Sequence, residues 1–180
     1  LSGYYGARTG LGRPARVKLA LGAFEGWLER IPDGKAKGPA WLRERGSWLS
    51  RQGNVLRDQG DLGGALVAYR ESLQVRRRLA EADPSNAGWQ RDLSVSHEKV
   101  GDVLLDRGDL GGALVAFRES LEVRRRLTEA DPSNAGWQRD LSVSLTLLAE
   151  VYEKLGDRAV ALQFARESLG IGERLAALDP

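Results

Sequence analysis

At 180 residues the chain falls in the single-domain range, and a content of 42% hydrophobic and 29% charged residues sets it apart from disordered and membrane-embedded classes. Lys and Arg number 27 against 25 Asp and Glu, a net charge of +2, too even for the one-sided basic field of a nucleic-acid binder. The absence of cysteine excludes disulfides, thiolate metal sites and a Cys nucleophile, and no apolar run approaches the roughly 18 residues of a membrane-spanning helix.

Residues 1–36 are read as a degenerate N-terminal helical element. Val17, Leu21, Phe24, Leu28 and Ile31 recur at steps of three and four, and Pro32-Asp33-Gly34 ends the pattern. It is either a helical unit stacked on the first repeat or the end of a preceding domain. From there the chain repeats. The stretch from Gly60 to Ser96 recurs almost letter for letter from Gly108 to Ser144, with Asp61, Pro84 and Trp89 returning 48 positions on as Asp109, Pro132 and Trp137. A weaker copy comes next at the same offset, so the units are 37–84, 85–132 and 133–180 of one continuous solenoid. Each unit is expected to be two long helices, A and B. In the second, helix A covers about Asn86 to Arg107 and buries Trp89, Leu93, Ser96, Val100, Val103 and Leu104. Gly108 closes it, Asp109 caps helix B, and helix B covers about Leu110 to Ala130. Asp131-Pro132-Ser133-Asn134 is then a turn, with Ser133 or Asn134 capping the next helix. Gly63, Gly64, Gly111 and Gly112 are unusual inside a helix; either a close backbone approach requires them or first-turn glycines are simply tolerated. Gly170 and Gly172 are expected to loosen the last helix. Methionine is absent and the chain ends on Asp179-Pro180 with no polar capping helix, so a segment of a longer protein is expected.

The spacing resembles the tetratricopeptide repeat family. That family sets a small residue midway along helix A, a Gly-Asp turn, a small residue, an aromatic and a closing proline, slots held here by Gly53, Gly60, Ala65, Tyr69 and Pro84, then by Gly101, Gly108, Ala113, Phe117 and Pro132. The unit exceeds the family's usual length of about 34 residues by about 14, placed at the start of helix A, before its aligned part, and at the end of helix B. The copies also look like bacterial extended arrays, which are often appended to signalling ATPases, caspase-like proteases or other effectors. The resemblance implies an all-α, right-handed α-solenoid of antiparallel helix hairpins, a tetratricopeptide-like superhelix, acting as a non-catalytic scaffold; with no membrane-spanning run and no signal peptide before the first repeat, the expected compartment is cytoplasmic.

No enzyme chemistry is expected. His97 is the one histidine, too few for a zinc site or a triad, and is read as structural or surface-exposed. No metal and no cofactor are expected. The triplets Arg76-Arg77-Arg78 and Arg124-Arg125-Arg126 are read as a solvated face paired to acids at helical spacing, such as Glu122 with Arg126 and Arg118 with Glu122. In the family a peptide lies along the concave face lined by helix A. Carried over by position, that face comprises Arg43, Ser47, Ser50, Arg51, Asn54 and Arg57, then Arg91, Val95, Glu98, Lys99 and Asp102, then Arg139, Val143, Thr146, Leu147 and Glu150. These positions vary between copies while the framework does not. Asn54 and Lys99 match the carboxylate clamp of chaperone-binding members; Ser50, Val143 and Leu147 do not, so chaperone-tail binding is not expected. The expected partner is a protein or peptide, with no membrane and no nucleic acid. The alternative is a self-assembly or regulatory segment of a larger signalling protein, self-associating through its uncapped C-terminal repeat.

Overall fold

The computed structural model describes Gly26 and residues 38–178; the helical element expected over 1–36 and the final Asp179-Pro180 lie outside that description. Among the described residues there are six long helices and no strands: α1 Pro39–Asp58, α2 Leu62–Ala82, α3 Ala87–Asp106, α4 Leu110–Ala130, α5 Ala135–Lys154 and α6 Arg158–Leu178. Each packs on the next in the chain, which is the pattern of an all-α helical-repeat solenoid. α1, α3 and α5 are the A helices; α2, α4 and α6 are the B helices.

The turns are written in the sequence. After α3, Gly108 sits at φ +77°, Asp109 N donates to Leu104 O at 2.8 Å and Gly108 N to Leu105 O at 2.9 Å, satisfying carbonyls the helix leaves open. Gly60 and Gly156 repeat the positive φ, at +79° and +83°. Asp109 then accepts from Gly112 N at 2.8 Å and caps α4. A Cβ at Gly112 would stand 2.5 Å from that carboxylate, so what crowds this position is the cap and not a neighbouring backbone. Where Val160 replaces it, the bond from Val160 N to Asp157 lengthens to 3.2 Å. At the closing turn Asn134 caps α5 through Trp137 N, while the Ser133 hydroxyl donates to Asp131 at 2.6 Å.

Inside each of the first two hairpins an aromatic ring lies on a glycine. A Cβ at Gly53 would come within 2.5 Å of the Tyr69 ring, and one at Gly101 within 2.5 Å of the Phe117 ring. The third unit changes both partners together, to Ala149 and Ala165, and stacks Tyr152 on Phe164 at 5.6 Å instead. Gly170 and Gly172, expected to loosen α6, do not interrupt it; nothing packs close enough to either to require a glycine.

The arginine triplets depart from a solvated face at their first member. Arg124 is 3% exposed and spans two units: Nε donates to Ser94 at 3.3 Å, Nη2 to Glu98 at 2.5 Å, and Nη1 to Ser144 and to Asp140 O, both at 2.8 Å. Helical phase explains the difference. Of three successive residues about 100° apart, one must point at the neighbouring helices. Arg126 with Glu122 is the expected surface pair, at 4.0 Å, whereas Arg118 turns to the Tyr152 hydroxyl and ring. Arg76 repeats the Arg124 position one unit earlier and pairs with Asp92 at 2.5 Å, yet its Nε is buried without a partner. Gly46 and Ser50 stand there where Ser94 and Glu98 stand around Arg124.

Two stability measurements probe these contacts. Gly101→Ala gains roughly 1 kcal/mol of helix propensity but overpacks against Phe117 at about 1–3 kcal/mol, so urea unfolding should show net destabilisation. In a Phe117→Ala background the same change should stabilise, as Ala149 beside Ala165 implies; an unchanged sign would refute the contact. Gly46→Ser, whose Cβ meets nothing closer than 3.4 Å, should give Arg76 Nε an acceptor and raise stability by about 1 kcal/mol.

Candidate functional site

The A helices present one face across all three units, and the sequence-derived positions fall on it unequally. Arg43, Arg51, Asn54, Arg91, Arg139, Val143, Thr146 and Glu150 are exposed; Ser47, Arg57, Val95, Glu98, Lys99, Asp102 and Leu147 are half-buried. Ser50 is a correction. It is buried, with its hydroxyl 2.8 Å from that of Ser72, and serves the packing of α1 on α2. Position 50 shares a helical phase with the buried Gly46 and Gly53, which spacing carried over from other repeats does not register.

Four of the positions come together between α1 and α3. Lys99 Nζ donates to Asn54 Oδ1 at 3.0 Å, and the Tyr69 hydroxyl donates to the same oxygen at 2.6 Å. The Lys99 ammonium also stands 5.4 Å from the centroid of the Tyr69 ring. Beside them Arg57 donates from Nε to Asp106 at 2.7 Å and faces Asp102 at 3.5 Å through Nη1. Burial, more than any other influence, pushes the Asp102 carboxyl up to about 6; Glu98 and Asp106 add to the rise while Arg57 and Lys99 oppose it. Burial likewise lifts the Tyr69 phenol to about 12. The arrangement presents an amide, an ammonium and two carboxylates at one seam, suited to hydrogen-bonding a backbone or a polar side chain. Tyr69 and Asp106 belong to this cluster and are absent from the sequence-derived set. The spacing assigns Tyr69 wholly to the framework because its ring packs on Gly53, and nothing in the sequence indicates that its hydroxyl reaches the face.

Two other positions are occupied by joints between units. Arg91 holds Asp140 with Nε and Nη2 at 2.5 and 3.2 Å, and Glu98 accepts from the buried Arg124. Glu150 pairs along its own helix with Lys154 at 3.6 Å, and Thr146 bonds Ser142 O and Ser168. No hydrogen bond or ion pair joins Val143 or Leu147 to the Asn54–Lys99 cluster.

His97 lies on another side of α3, buried, with Nδ1 3.1 Å from Glu119. Burial above all lowers its pKa, Arg77 lowers it further, and Glu119 opposes both. It stands where Leu49 and Leu145 stand in the other units, a core position. Among the described residues no cluster of three or more His, Cys, Asp or Glu has the arrangement of a metal site, and no helix is long and apolar enough to cross a membrane.

A family model described as tetratricopeptide repeat matches residues 47–85 and 99–133, leaving the first part of α3 between the matches. Solved structures similar to the chain include that of BtubC (BKLC) from P. vanneervenii, at 14% identity and a TM-score of 0.46, with 92% of this chain and 76% of that one covered. MamA is another, at 13% identity and a TM-score of 0.33, with 93% of this chain and 98% of that one covered. No curated protein matches the chain.

Asp102 makes the site sensitive to pH. A folded value near 6 against an ordinary 3.8 means the folded chain keeps a proton that the unfolded chain releases. The stability this gives is complete below the ordinary value and is lost as pH rises towards 6. The difference in urea midpoint between wild type and Asp102→Asn should therefore decline from pH 4 to 6 and level off above; His97, which shifts stability in the opposite sense, is common to both and cancels. Parallel profiles would refute the assignment.

Proposed function

Taking as premise that the chain carries tetratricopeptide repeats at residues 47–85 and 99–133, we propose that it is a protein-interaction scaffold whose α1, α3 and α5 face receives an extended peptide or a protein segment. Repeats of this family generally mediate protein–protein interaction. The observation that carries the reading is the cluster of Asn54, Lys99, Arg57 and Asp102, a polar seam at positions where the copies differ while the framework around it repeats. Charge on this face runs in rows across the helices. Arg43, Arg91 and Arg139 occupy equivalent places in the N-terminal halves, and Asp102 and Glu150 occupy equivalent places in the C-terminal halves. A partner of mixed charge suits such a surface, acidic where it crosses the first row and basic where it crosses the second. The scaffold is non-catalytic in this reading.

Self-assembly is the second reading, favoured by the large apolar side chains Leu162 and Leu169 that α6 exposes.

Selection of peptides from a displayed random library on the full chain tests the first reading. Binders should be recovered, and Asn54→Ala with Lys99→Ala should weaken them by about tenfold or more, roughly 1.4 kcal/mol. Glu122→Ala, on α4, should leave them unchanged. A library yielding no binder, or binders indifferent to the double substitution, would overturn it.

A further inference from the structure

The face of α5 and α6 that no described helix covers exposes leucines whose counterparts in the earlier units are covered. Leu169 is 62% exposed, while Leu121, at the same place in the preceding unit, is 5% exposed under α5. Leu162 is 56% exposed, while its counterpart Leu66 is 5% exposed. On the A helix of the same hairpin Val143 is 46% exposed. Between the two helices lies a depression of about 400 Å³ whose floor includes Ala149, Ala161, Leu162 and Ala165. It exists because the glycine–ring pair of the earlier units is here alanine with alanine, which leaves the volume of a ring unfilled. Its walls carry opposite charge, Glu150 and Glu153 on α5 and Arg158 on α6.

Opposite charge on the two edges of one apolar face is a self-complementary pattern. A twofold axis running along the hairpin, in the plane of contact, lays α6 of one copy over α5 of the other at the same level. The levels are fixed by contacts within the hairpin. Ser168 meets Ser142 at 2.8 Å and Thr146 at 3.0 Å, so Leu169 lies level with Val143. Nearer the turn Leu162 lines the depression together with Ala149, and Arg158 lines it together with Glu153. Under that symmetry each Leu169 packs on the other copy's Val143, each Leu162 enters the depression over Ala149, and each Arg158 meets Glu153. We propose that two copies of this chain associate face to face through α5 and α6 in this register. The proposal rests on the self-assembly reading above and goes beyond it by fixing partner, symmetry and pairs. A head-to-tail contact would pair different surfaces and grow into open chains; this one closes at two.

Sedimentation and light scattering of the full chain, from about 1 µM to about 1 mM, cover the range in which an interface of modest size assembles. The mass should rise from one copy to two and stop. Leu162→Glu with Leu169→Glu should abolish the rise while the circular dichroism of the helices is kept; both side chains are exposed in the single chain. Arg158→Glu alone and Glu153→Arg alone should each weaken the dimer several-fold, and the two together in one chain should restore it. A single copy at every concentration would overturn both the proposal and the self-assembly reading. Growth beyond two copies, or a dimer lost with the leucines but not restored by the charge exchange, would overturn this register and leave self-assembly standing.

Discussion

The structure depends on an aromatic ring lying against a helix that has no side chain at the point of contact. With Gly101 under Phe117 and Gly53 under Tyr69, each hairpin brings its two helices closer than a Cβ would allow, and a buried ring cannot move aside as an exposed one could. This contact sets the distance between the helices of a hairpin. Spacing then fixes what the neighbours can reach: the Tyr69 hydroxyl extends past Gly53 to Asn54, and only from there does the polar seam with Lys99 begin. The third unit is informative because it abandons both partners at once. A single change to Ala149 would have strained the packing, and a single change to Ala165 would have left a dry hole in it; together they produce an open depression.

Successive hairpins are joined by a different kind of contact. A solenoid has no core shared by distant units, so its rigidity is decided at each junction. Arg124 makes the junction of units two and three polar and directional, since its guanidinium reaches acceptors on α3 and α5 at the same time. The preceding junction keeps the arginine and an acceptor across the joint, Asp92, but loses the two on the arginine's own hairpin, with Gly46 and Ser50 in place of Ser94 and Glu98, and one of its N–H groups is left buried without a partner. That junction also carries the link from Arg57 to Asp102 and Asp106 on the exposed A face, as the next carries Arg91 with Asp140. Both junctions therefore combine an arginine inside the stack with an ion pair at the surface where a partner would touch it, and they differ in how fully the inner guanidinium is satisfied.

This division also explains what the sequence made legible. The period, the Gly-Asp turns, the capping aspartates and the aromatic slots are readable because each is local, a matter of residues a few positions apart whose backbone needs are known. Helix α4 is bounded to the residue on that basis. The burial of Arg124 is not readable, since three adjacent arginines look alike until the phase of the helix against two neighbours is known. Ser50 is misplaced for a related reason. A position carried over from shorter repeats gives the rotation of a helix about its axis only approximately, and the boundary between the A face and the packing face falls within one residue's width.

The same limit bears on how function is distributed along the array. Residues that repeat without change are those whose partners repeat as well, the caps, rings and turns. Where copies differ, the cause need not be a ligand. Glu98 differs from Ser50 and Thr146, yet Glu98 is engaged by Arg124, which has no equivalent at Gly172. Position 54 differs too, as Asn54, Asp102 and Glu150; the buried Tyr69 hydroxyl accounts for Asn54, but no buried partner accounts for the two acids, since Asp102 is held by Arg57 and Glu150 is exposed. Variation marks a candidate contact only after the variation demanded by packing has been removed. By that criterion the row through Asn54, Asp102 and Glu150 is a stronger site than the row through Ser50, Glu98 and Thr146, although the sequence ranks the two alike.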